Sequence, residues 1–170
     1  MKIGVLTIGA ELLNGSRIDT NASWIANAVI HKGGSVVFKM SVPDSESKII
    51  KALNFLLSQS IDMLIVTGGL GPTHDDITAK TLYSYFNDEP IFDDDYWDLL
   101  VKRFEKRGFE VSKLNRSQAL KPLRGELVNN PIGTARGLLF KKERKDVFVL
   151  PGVPREMQSM MEESVIPLIK

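Results

Sequence analysis

Residues 67–78, which read TGGLGPTHDDIT, hold the greatest concentration of groups that could take part in chemistry. Closely spaced glycines let backbone N–H groups turn toward one ligand without obstruction from side chains. Thr73 stands three residues before Asp76, the spacing of a helix capping box, and this spacing predicts that a helix begins here. Because free N–H groups at a helix N-terminus attract anions, the segment predicts a phosphate-binding loop.

Two common phosphate-binding motifs do not match this loop. No Lys-Ser or Lys-Thr pair follows the glycines as in a P-loop, and His74 stands where a dinucleotide-binding motif has its third glycine or alanine. The alternative interpretation is a glycine turn in which Asp75 and Asp76 are only favourable charges at a helix N-terminus. Adjacent residues on a helix point about 100° apart, so at most one of these two aspartates is expected to contact a ligand.

Carboxylates are expected to surround this loop. Asp75 and Asp76 lie within it, while Glu11 and Asp44 follow two predicted strands. Four acids would repel a phosphate unless a divalent cation bridges carboxylate and phosphate oxygens, so the pattern indicates a magnesium-type site. In the alternative interpretation, Glu11 is a solvated loop residue and Asp44 is the N-cap of a helix.

Other kinds of chemistry find little support in the sequence. The chain has no cysteine, which excludes disulfides, thiolate nucleophiles and thiolate metal ligands. His74 has no visible partner for acid–base catalysis, and no serine stands with a histidine and an acid in a recognisable arrangement. A formal net charge of +1 argues against a general nucleic-acid binder.

The order of the predicted elements indicates where the candidate residues meet. Apolar runs at residues 3–8, 36–38 and 63–66 are typical of buried strands, and segments of helical periodicity separate them. These units predict a three-layer α/β fold, in which a doubly wound, mostly parallel sheet has helices on both faces. Ligands bind such sheets outside the carboxyl ends of the strands. The loops expected on that rim are residues 9–15, 42–45 and 68–76.

The second half of the chain is less regular but completes the same unit. Helical spacing extends over residues 93–108, and residues 137–140 and 147–150 predict a short hairpin with a charged connection. A final helix carries three methionines that are expected in the core: Met157, Met160 and Met161. We expect one domain over residues 1–170. No apolar run is long enough for a signal peptide or a membrane span, and this predicts a cytoplasmic protein.

Five segments, in order along the chain, carry a resemblance to a known family. They are GAELLNG at 9–15, DTN at 19–21, TGGLGPTHDD at 67–76, NPIGTA at 130–135 and LPGVPREM at 150–157. Together they resemble the amino-terminal domain of the CinA family of competence/damage-inducible proteins. That domain belongs to the wider MoaB/MogA-like molybdopterin-binding superfamily. Each segment is a weak signal alone, but five in register cover essentially the whole chain.

The resemblance implies an activity and assigns residues to it. The CinA-type domain is associated with metal-dependent hydrolysis of ADP-ribose to AMP and ribose 5-phosphate. By position, Asp76, Asp44 and Glu11 would be the catalytic acids, and Asp76 and Asp44 would hold Mg²⁺, Mn²⁺ or Co²⁺. The residues that would bind the substrate or its phosphates are Gly68, Gly69, Leu70, Gly71, Pro72, Thr73, Asp75, Asn130, Gly133, Gly152 and Pro154.

The resemblance also leaves alternatives. Superfamily members bind molybdopterin through its phosphate, and one branch adenylylates it; a non-catalytic nucleotide-binding module is a third possibility. With Leu70, the glycine loop resembles that of the CinA branch, which favours the hydrolase. Arg136 stands where relatives commonly have proline. Family members often carry a carboxy-terminal nicotinamide-nucleotide deamidase domain, which we do not expect within these residues. A homo-oligomer, dimer or trimer, is expected, with no nucleic-acid or membrane partner.

Overall fold

The computed structural model describes all 170 residues and contains eight strands. In chain order these are β1 (Lys2–Ile8), β2 (Ser35–Val42), β3 (Met63–Thr67), β4 (Pro90–Phe92), β5 (Leu120–Pro122), β6 (Glu126–Val128), β7 (Gly137–Lys142) and β8 (Lys145–Leu150). Six of them form the central sheet, in the order β2-β1-β3-β8-β7-β6. The first four strands of that order are parallel, β7 runs antiparallel to β8, and β6 runs antiparallel to β7. The remaining two, β4 and β5, pair with each other outside the sheet.

Helices connect the strands and cover the sheet. The α-helices are α1 (Ala10–Leu13), α2 (Thr20–His31), α3 (Glu46–Ser58), α4 (Thr78–Tyr85), α5 (Asp94–Glu105) and α6 (Pro154–Met160). A 3₁₀ helix (Lys113–Ala119) precedes β5, and α6 continues into a π turn (Met161–Val165) and a short 3₁₀ turn (Ile166–Leu168). None of these helices has both the length and the apolar character that crossing a membrane requires.

Two apolar clusters fill the spaces on either side of the sheet. Neighbouring residues of a strand point to opposite faces, and the adjacent β1 residues Val5 and Leu6 accordingly belong to different clusters. Leu6 packs with Leu53 of α3 and Leu82 of α4, whereas Val5 packs with Ile25 of α2 and the methionines of α6. The predicted three-layer fold and the core position of these methionines are therefore confirmed.

Two helix starts show how local hydrogen bonds fix the elements. The Asp19 carboxylate accepts the amide of Ala22 at 2.9 Å and caps α2. The helix predicted to begin at Thr73 begins instead at Thr78. The chain makes a single turn from Thr73 to Asp76 and does not continue it as a helix. The Asp76 carboxylate accepts a hydrogen bond from the Thr73 amide at 2.9 Å across this turn. Residues 10–13, which were expected in a loop, form the helical turn α1, and the sequence did not predict the strands β4, β5 and β6.

A buried carboxylate, Asp88, holds the segment that leads from β5 to β6. Asp88 is 7% exposed, and it accepts backbone amides at 2.9 Å from Leu123, 3.1 Å from Arg124 and 2.7 Å from Gly125. Burial tends to raise the pKa of Asp88, but hydrogen bonds from these three amides and that of Glu89 outweigh burial and hold the pKa below its usual 3.8. The charged form of Asp88 therefore stabilises the fold.

Replacing Asp88 with asparagine is expected to lower the free energy of unfolding by about 3 kcal/mol at pH 7, because the amide group cannot accept all of these hydrogen bonds. The folded-state pKa is below the unfolded value, so this stabilisation is present above about pH 4 and is lost as the pH falls through the folded-state pKa. Urea denaturation from pH 7 to pH 3 should show the gap between wild type and variant closing. Glu89→Gln removes the exposed carboxylate next to Asp88 and should change stability by less than about 0.5 kcal/mol. An Asp88→Asn variant as stable as wild type at pH 7 would refute this role.

Candidate functional site

A cleft of about 910 Å³ opens at the carboxyl ends of β1 and β3. The three loops that follow β1, β2 and β3 line it, as predicted, together with the loop between β8 and α6. Parallel strands end at the same edge of a sheet, and this brings residues far apart in sequence to one place. The predicted site residues that line the cleft are Glu11, Asp44, Gly68, Gly69, Leu70, Gly71, Pro72, Asp75, Asp76, Gly152 and Pro154.

The glycine loop after β3 has a backbone that only glycine accommodates at its first two positions. Gly68 and Gly69 have φ angles of 111° and 66°. A Cβ atom at Gly68 would overlap the carbonyl oxygen of Ile8, and one at Gly69 would overlap the hydroxyl of Thr78. Both glycines therefore allow the loop to fold back against β1 and α4.

The same loop presents three consecutive backbone N–H groups without a partner. The amide of Gly68 donates to the carbonyl of Leu150 at 3.1 Å, whereas the amides of Gly69, Leu70 and Gly71 have no hydrogen-bond acceptor within the protein. Successive free amides in a tight turn form a concave site that binds anions. This geometry supports the predicted phosphate-binding loop, although its donors come from the loop itself and not from a helix beginning at Thr73.

Asp76 shapes this loop and also faces the cleft. Its Oδ2 atom accepts the amide of Thr73 at 2.9 Å and the Thr73 hydroxyl, while Oδ1 has no partner. The carboxylate lies against Gly71, where a Cβ atom would stand 2.6 Å from Oδ2. One oxygen of Asp76 is thus structural, and the other is free for a ligand. Asp75, also on the cleft, is exposed, and its side chain makes no hydrogen bond.

Asp44 connects the first two loops of the rim. The N-cap of α3 is Ser45, so the alternative role of Asp44 as a helix cap does not apply. Instead, Asp44 Oδ2 accepts the amide of Ala10 at 3.0 Å and holds the start of α1 beside the second loop. Glu11, one residue later, has a side chain without hydrogen bond or ion pair, folded back against Gly9. The two acids therefore reach the cleft from adjacent loops.

The three acids do not form a preformed metal cage. No three His, Cys, Asp or Glu side chains lie close enough together to hold a metal ion by themselves. Mg²⁺ at phosphate-transfer sites is usually held by one or two carboxylates together with substrate phosphates and water. The free oxygens of Asp44 and Asp76 fit that kind of site, because both are hard donors on the same cleft as the unpaired amides.

Asn21 fixes the position of the glycine loop relative to the loop after β8. Its Nδ2 group donates to the Thr67 hydroxyl at 3.2 Å and to the Gly152 carbonyl at 2.9 Å. Gly152 in turn lies close to Gly68, since a Cβ atom there would be 3.3 Å from the Gly68 Cα. The DTN segment singled out in the sequence thus supports the cleft from α2.

Three predicted binding residues lie outside the cleft lining. The amide and hydroxyl of Thr73 both donate to Asp76, and Thr73 lines an adjoining cavity that shares Asp76 and residues 69–72 with the cleft. Asn130 is buried and organises its own loop, with Oδ1 accepting the Gly133 amide at 2.9 Å and Nδ2 donating to Glu156 at 2.7 Å. Gly133 lines a different cavity beside α5. The hydrogen bonds of Thr73 and Asn130 thus hold the shape of their own loops.

The cleft also contains residues that sequence reasoning did not select. Thr134 and Glu156 belong to two segments of the family resemblance, which is the signal that could have identified them. Arg17 and Gln118 carried no signal, because neither stands in a recognisable motif; Gln118 reaches the cleft from the 3₁₀ helix and donates to Thr134 Oγ1 at 3.2 Å. Arg17 is the single basic residue of the lining.

Arg136, which the family resemblance singled out, does not line the cleft. Its guanidinium donates to Asp93 at 2.6 Å and to the Leu120 carbonyl at 3.2 Å, and it stacks over the ring of Tyr96. The hydrogen bond from Arg136 holds the pKa of Asp93 below its usual value. Arg136 therefore joins β5 to the start of α5 instead of contacting a cleft ligand.

Fold and site together define a protein of the molybdopterin-binding class. Residues 4–170 match the family model described as "probable molybdopterin binding domain". The solved structure of a CinA protein of unknown function from Thermoplasma acidophilum superposes with a TM-score of 0.81 at 31% identity, covering 95% of this chain and 94% of that one. MoaB from Thermus thermophilus, at 21% identity and a TM-score of 0.65, shares the fold over 99% of this chain and 91% of its own.

Sequence relatives agree with this assignment. CinA-like proteins of Flavobacterium psychrophilum and Citrifermentans bemidjiense are 41% and 42% identical over 98% of this chain. The chain belongs to the molybdopterin-binding domain family and, within it, to the CinA-like proteins. It spans about 40% of the length of these two curated relatives.

Proposed function

We propose that the protein is a metal-dependent pyrophosphohydrolase that cleaves ADP-ribose or a related nucleotide into AMP and ribose 5-phosphate. One observation carries the proposal: three unpaired amides, at Gly69, Leu70 and Gly71, share a cleft with the carboxylates of Asp44 and Asp76. Free amides bind and stabilise a charged diphosphate, and carboxylates supply the cation site that offsets their own repulsion of it.

The size of the cleft is consistent with such a substrate. A volume of about 910 Å³ lies at the upper end of the range of roughly 300–1,000 Å³ usual for small-molecule sites. A ligand of two nucleoside-sized halves joined by a diphosphate needs a cleft of this order. The glycine loop stands beside Gly152 in its wall, so the diphosphate would sit at the loop with the two sugars extending away from it.

The proposed reaction is a hydrolysis at phosphorus. Water adds its oxygen to one phosphorus of the diphosphate, the bridging P–O bond breaks, and the bridging oxygen leaves with the other phosphate. Asp44, Asp76 and Glu11 would hold the cation and position the water, while the Gly69–Gly71 amides would donate to the oxygens on which negative charge increases. A divalent cation bound there would neutralise phosphate charge and lower the pKa of a bound water.

The assay that tests this function follows AMP release from ADP-ribose by the purified protein. The protein is first treated with EDTA, and Mg²⁺, Mn²⁺ or Co²⁺ is then added back, with each metal alone as the control. We expect AMP to form only when both protein and metal are present. A folded protein that releases no AMP with any of the three metals would refute the proposal. Binding of ADP-ribose without turnover would point to a non-catalytic nucleotide-binding module instead.

A second candidate function is binding of a pterin phosphate, as in molybdenum-cofactor biosynthesis. The family model and the fold shared with MoaB favour it, and the same free amides would bind the pterin phosphate. Pterins are fluorescent, so a bound pterin would be visible after purification from a host that makes the molybdenum cofactor. Retained pterin together with no AMP release would favour this candidate over the hydrolase.

A further inference from the structure

A second cavity, of about 440 Å³, lies between the C-terminal end of α5 and the loop at residues 131–134. Arg103, Lys106 and Arg107 line it from the α5 side. Arg103 lies in the last turn of α5, Lys106 and Arg107 lie in the turn that directly follows it, and all three line the same cavity. The end of α5 therefore presents a concentrated positive charge to this cavity.

These positive charges are not neutralised by the protein. The side chains of Lys106 and Arg107 have neither a hydrogen-bond partner nor an ion-pair partner, and the Arg103 guanidinium donates only to the Gly133 carbonyl, at 3.2 Å. The single acid of the lining, Glu156, accepts a hydrogen bond from Asn130. Three cations and one carboxylate leave the cavity with a net charge of +2.

The cavity adjoins the main cleft but has the opposite charge. Thr134 and Glu156 line both. In the main cleft, five carboxylates stand against one arginine, and an anion there needs a cation beside it; the carboxylates are Glu11, Asp44, Asp75, Asp76 and Glu156. In the second cavity, called the α5 cavity below, an anion needs no added cation, because the side chains themselves provide the positive charge.

The helix dipole accounts for part of this arrangement. Cations in the last turn of a helix are favourable wherever they point, since the C-terminus is the negative end of the dipole. Lys102 shares that benefit, but it is exposed and does not line the cavity. The dipole therefore explains why basic residues occur at the end of α5, whereas it does not explain why three of them line one cavity without partners.

We propose that the α5 cavity is a binding site for a phosphate dianion. A net charge of +2 matches a dianion better than a singly charged carboxylate, and arginine side chains suit the geometry of phosphate oxygens. The amide of Thr134 has no acceptor within the protein and adds a backbone donor at the edge of the site. The phosphate is either inorganic phosphate or a phosphomonoester on a ligand that extends from the main cleft. This site goes beyond the proposed hydrolysis, since phosphate binding is measured without turnover.

The test is a titration of the protein with inorganic phosphate at constant ionic strength, followed by ¹H–¹⁵N NMR. We expect the largest shifts at Gly133 and Thr134, and a Lys106→Gln/Arg107→Gln double variant to bind phosphate at least about tenfold more weakly. Lys102→Gln is the control: it removes one positive charge, where the double variant removes two, from the end of α5 outside the cavity, and it should change the affinity less than about twofold.

Two results would overturn the site. One is a wild-type titration with no saturable shifts at residues 131–134, and the other is an equal loss of affinity in the double variant and in Lys102→Gln. Because the substituted side chains are exposed or at the cavity surface, thermal unfolding should confirm that the variants are folded.

A parallel comparison of ADP-ribose with its 2′-phosphate in EDTA assigns the source of the phosphate. A preference for the 2′-phosphate that the double variant abolishes indicates a phosphomonoester, and equal binding indicates inorganic phosphate.

Discussion

Replacing Asp76 with asparagine is expected to slow AMP release from ADP-ribose by about a hundredfold or more at saturating metal. Asparagine keeps an oxygen that can accept the Thr73 amide, which Asp76 Oδ2 accepts at 2.9 Å, so the loop should keep its shape. It removes the negative charge and replaces Oδ1, the carboxylate oxygen without a hydrogen-bond partner, with an NH₂ group. The measurement is the initial rate of AMP formation as a function of metal and substrate concentration.

Asp75→Asn provides the matched control for this prediction. It makes the same charge change one residue away, on an exposed side chain that also lines the cleft and makes no hydrogen bond. We expect its rate to fall less than about fivefold, because the Asp75 side chain, unlike that of Asp76, is not held in place by hydrogen bonds from the glycine loop. Equal losses in the two variants would show that only overall charge matters, and an unchanged rate in Asp76→Asn would remove Asp76 from the catalytic set.

Gly68→Ala is expected to lower the free energy of unfolding by about 3–5 kcal/mol. Gly68 has a φ angle of 111°, and a Cβ atom there would overlap the carbonyl oxygen of Ile8 at the end of β1. That oxygen belongs to the backbone of the central sheet, so it cannot move aside as a side chain would. Either the loop shifts and disturbs the amides of residues 69–71, or the end of β1 moves. Urea denaturation measures the loss.

Gly15→Ala separates the effect of the clash from that of backbone strain. Gly15 has a φ angle of 79° and nothing within 4 Å of an added Cβ atom. An alanine there would therefore have the strain of the positive φ angle without a steric clash. This variant should lose about 1 kcal/mol. If Gly68→Ala lost no more than Gly15→Ala, the close packing of the glycine loop against β1 would not be a constraint on the fold.

The regular part of the fold could be predicted from sequence, because it depends on local patterns. The buried strands β1 and β3 have continuous apolar sequences, and Asp19 provides a strong helix cap. The short strands β4, β5 and β6 lack such a pattern, since each has three residues and depends on its partner for stability. The beginning of α4 was misplaced because the Thr73–Asp76 spacing matches a capping box, whereas the structure uses the same two side chains to close a single turn.

The residues of the candidate site that directly follow strands could be predicted from the sequence, whereas those that reach it from other elements could not. Parallel strands ending at one edge were enough to place Glu11, Asp44 and the glycine loop on a common cleft. Gln118 reaches that cleft from a distant 3₁₀ helix, through tertiary packing that no local pattern encodes. Arg136 could not be placed from sequence either, because its ion pair with Asp93 joins residues far apart in the chain. The divalent cation and the homo-oligomer implied by the family resemblance stay predictions.

The central claim is that the unpaired amides of the glycine loop hold the diphosphate of a nucleotide. An NMR titration of the ¹⁵N-labelled protein with ADP-ribose in EDTA, where no turnover is expected, tests it without depending on catalysis. The amides of Gly69, Leu70 and Gly71 should show the largest shifts, because they have no acceptor in the free protein. Saturable binding that leaves these three amides unshifted would contradict the claim.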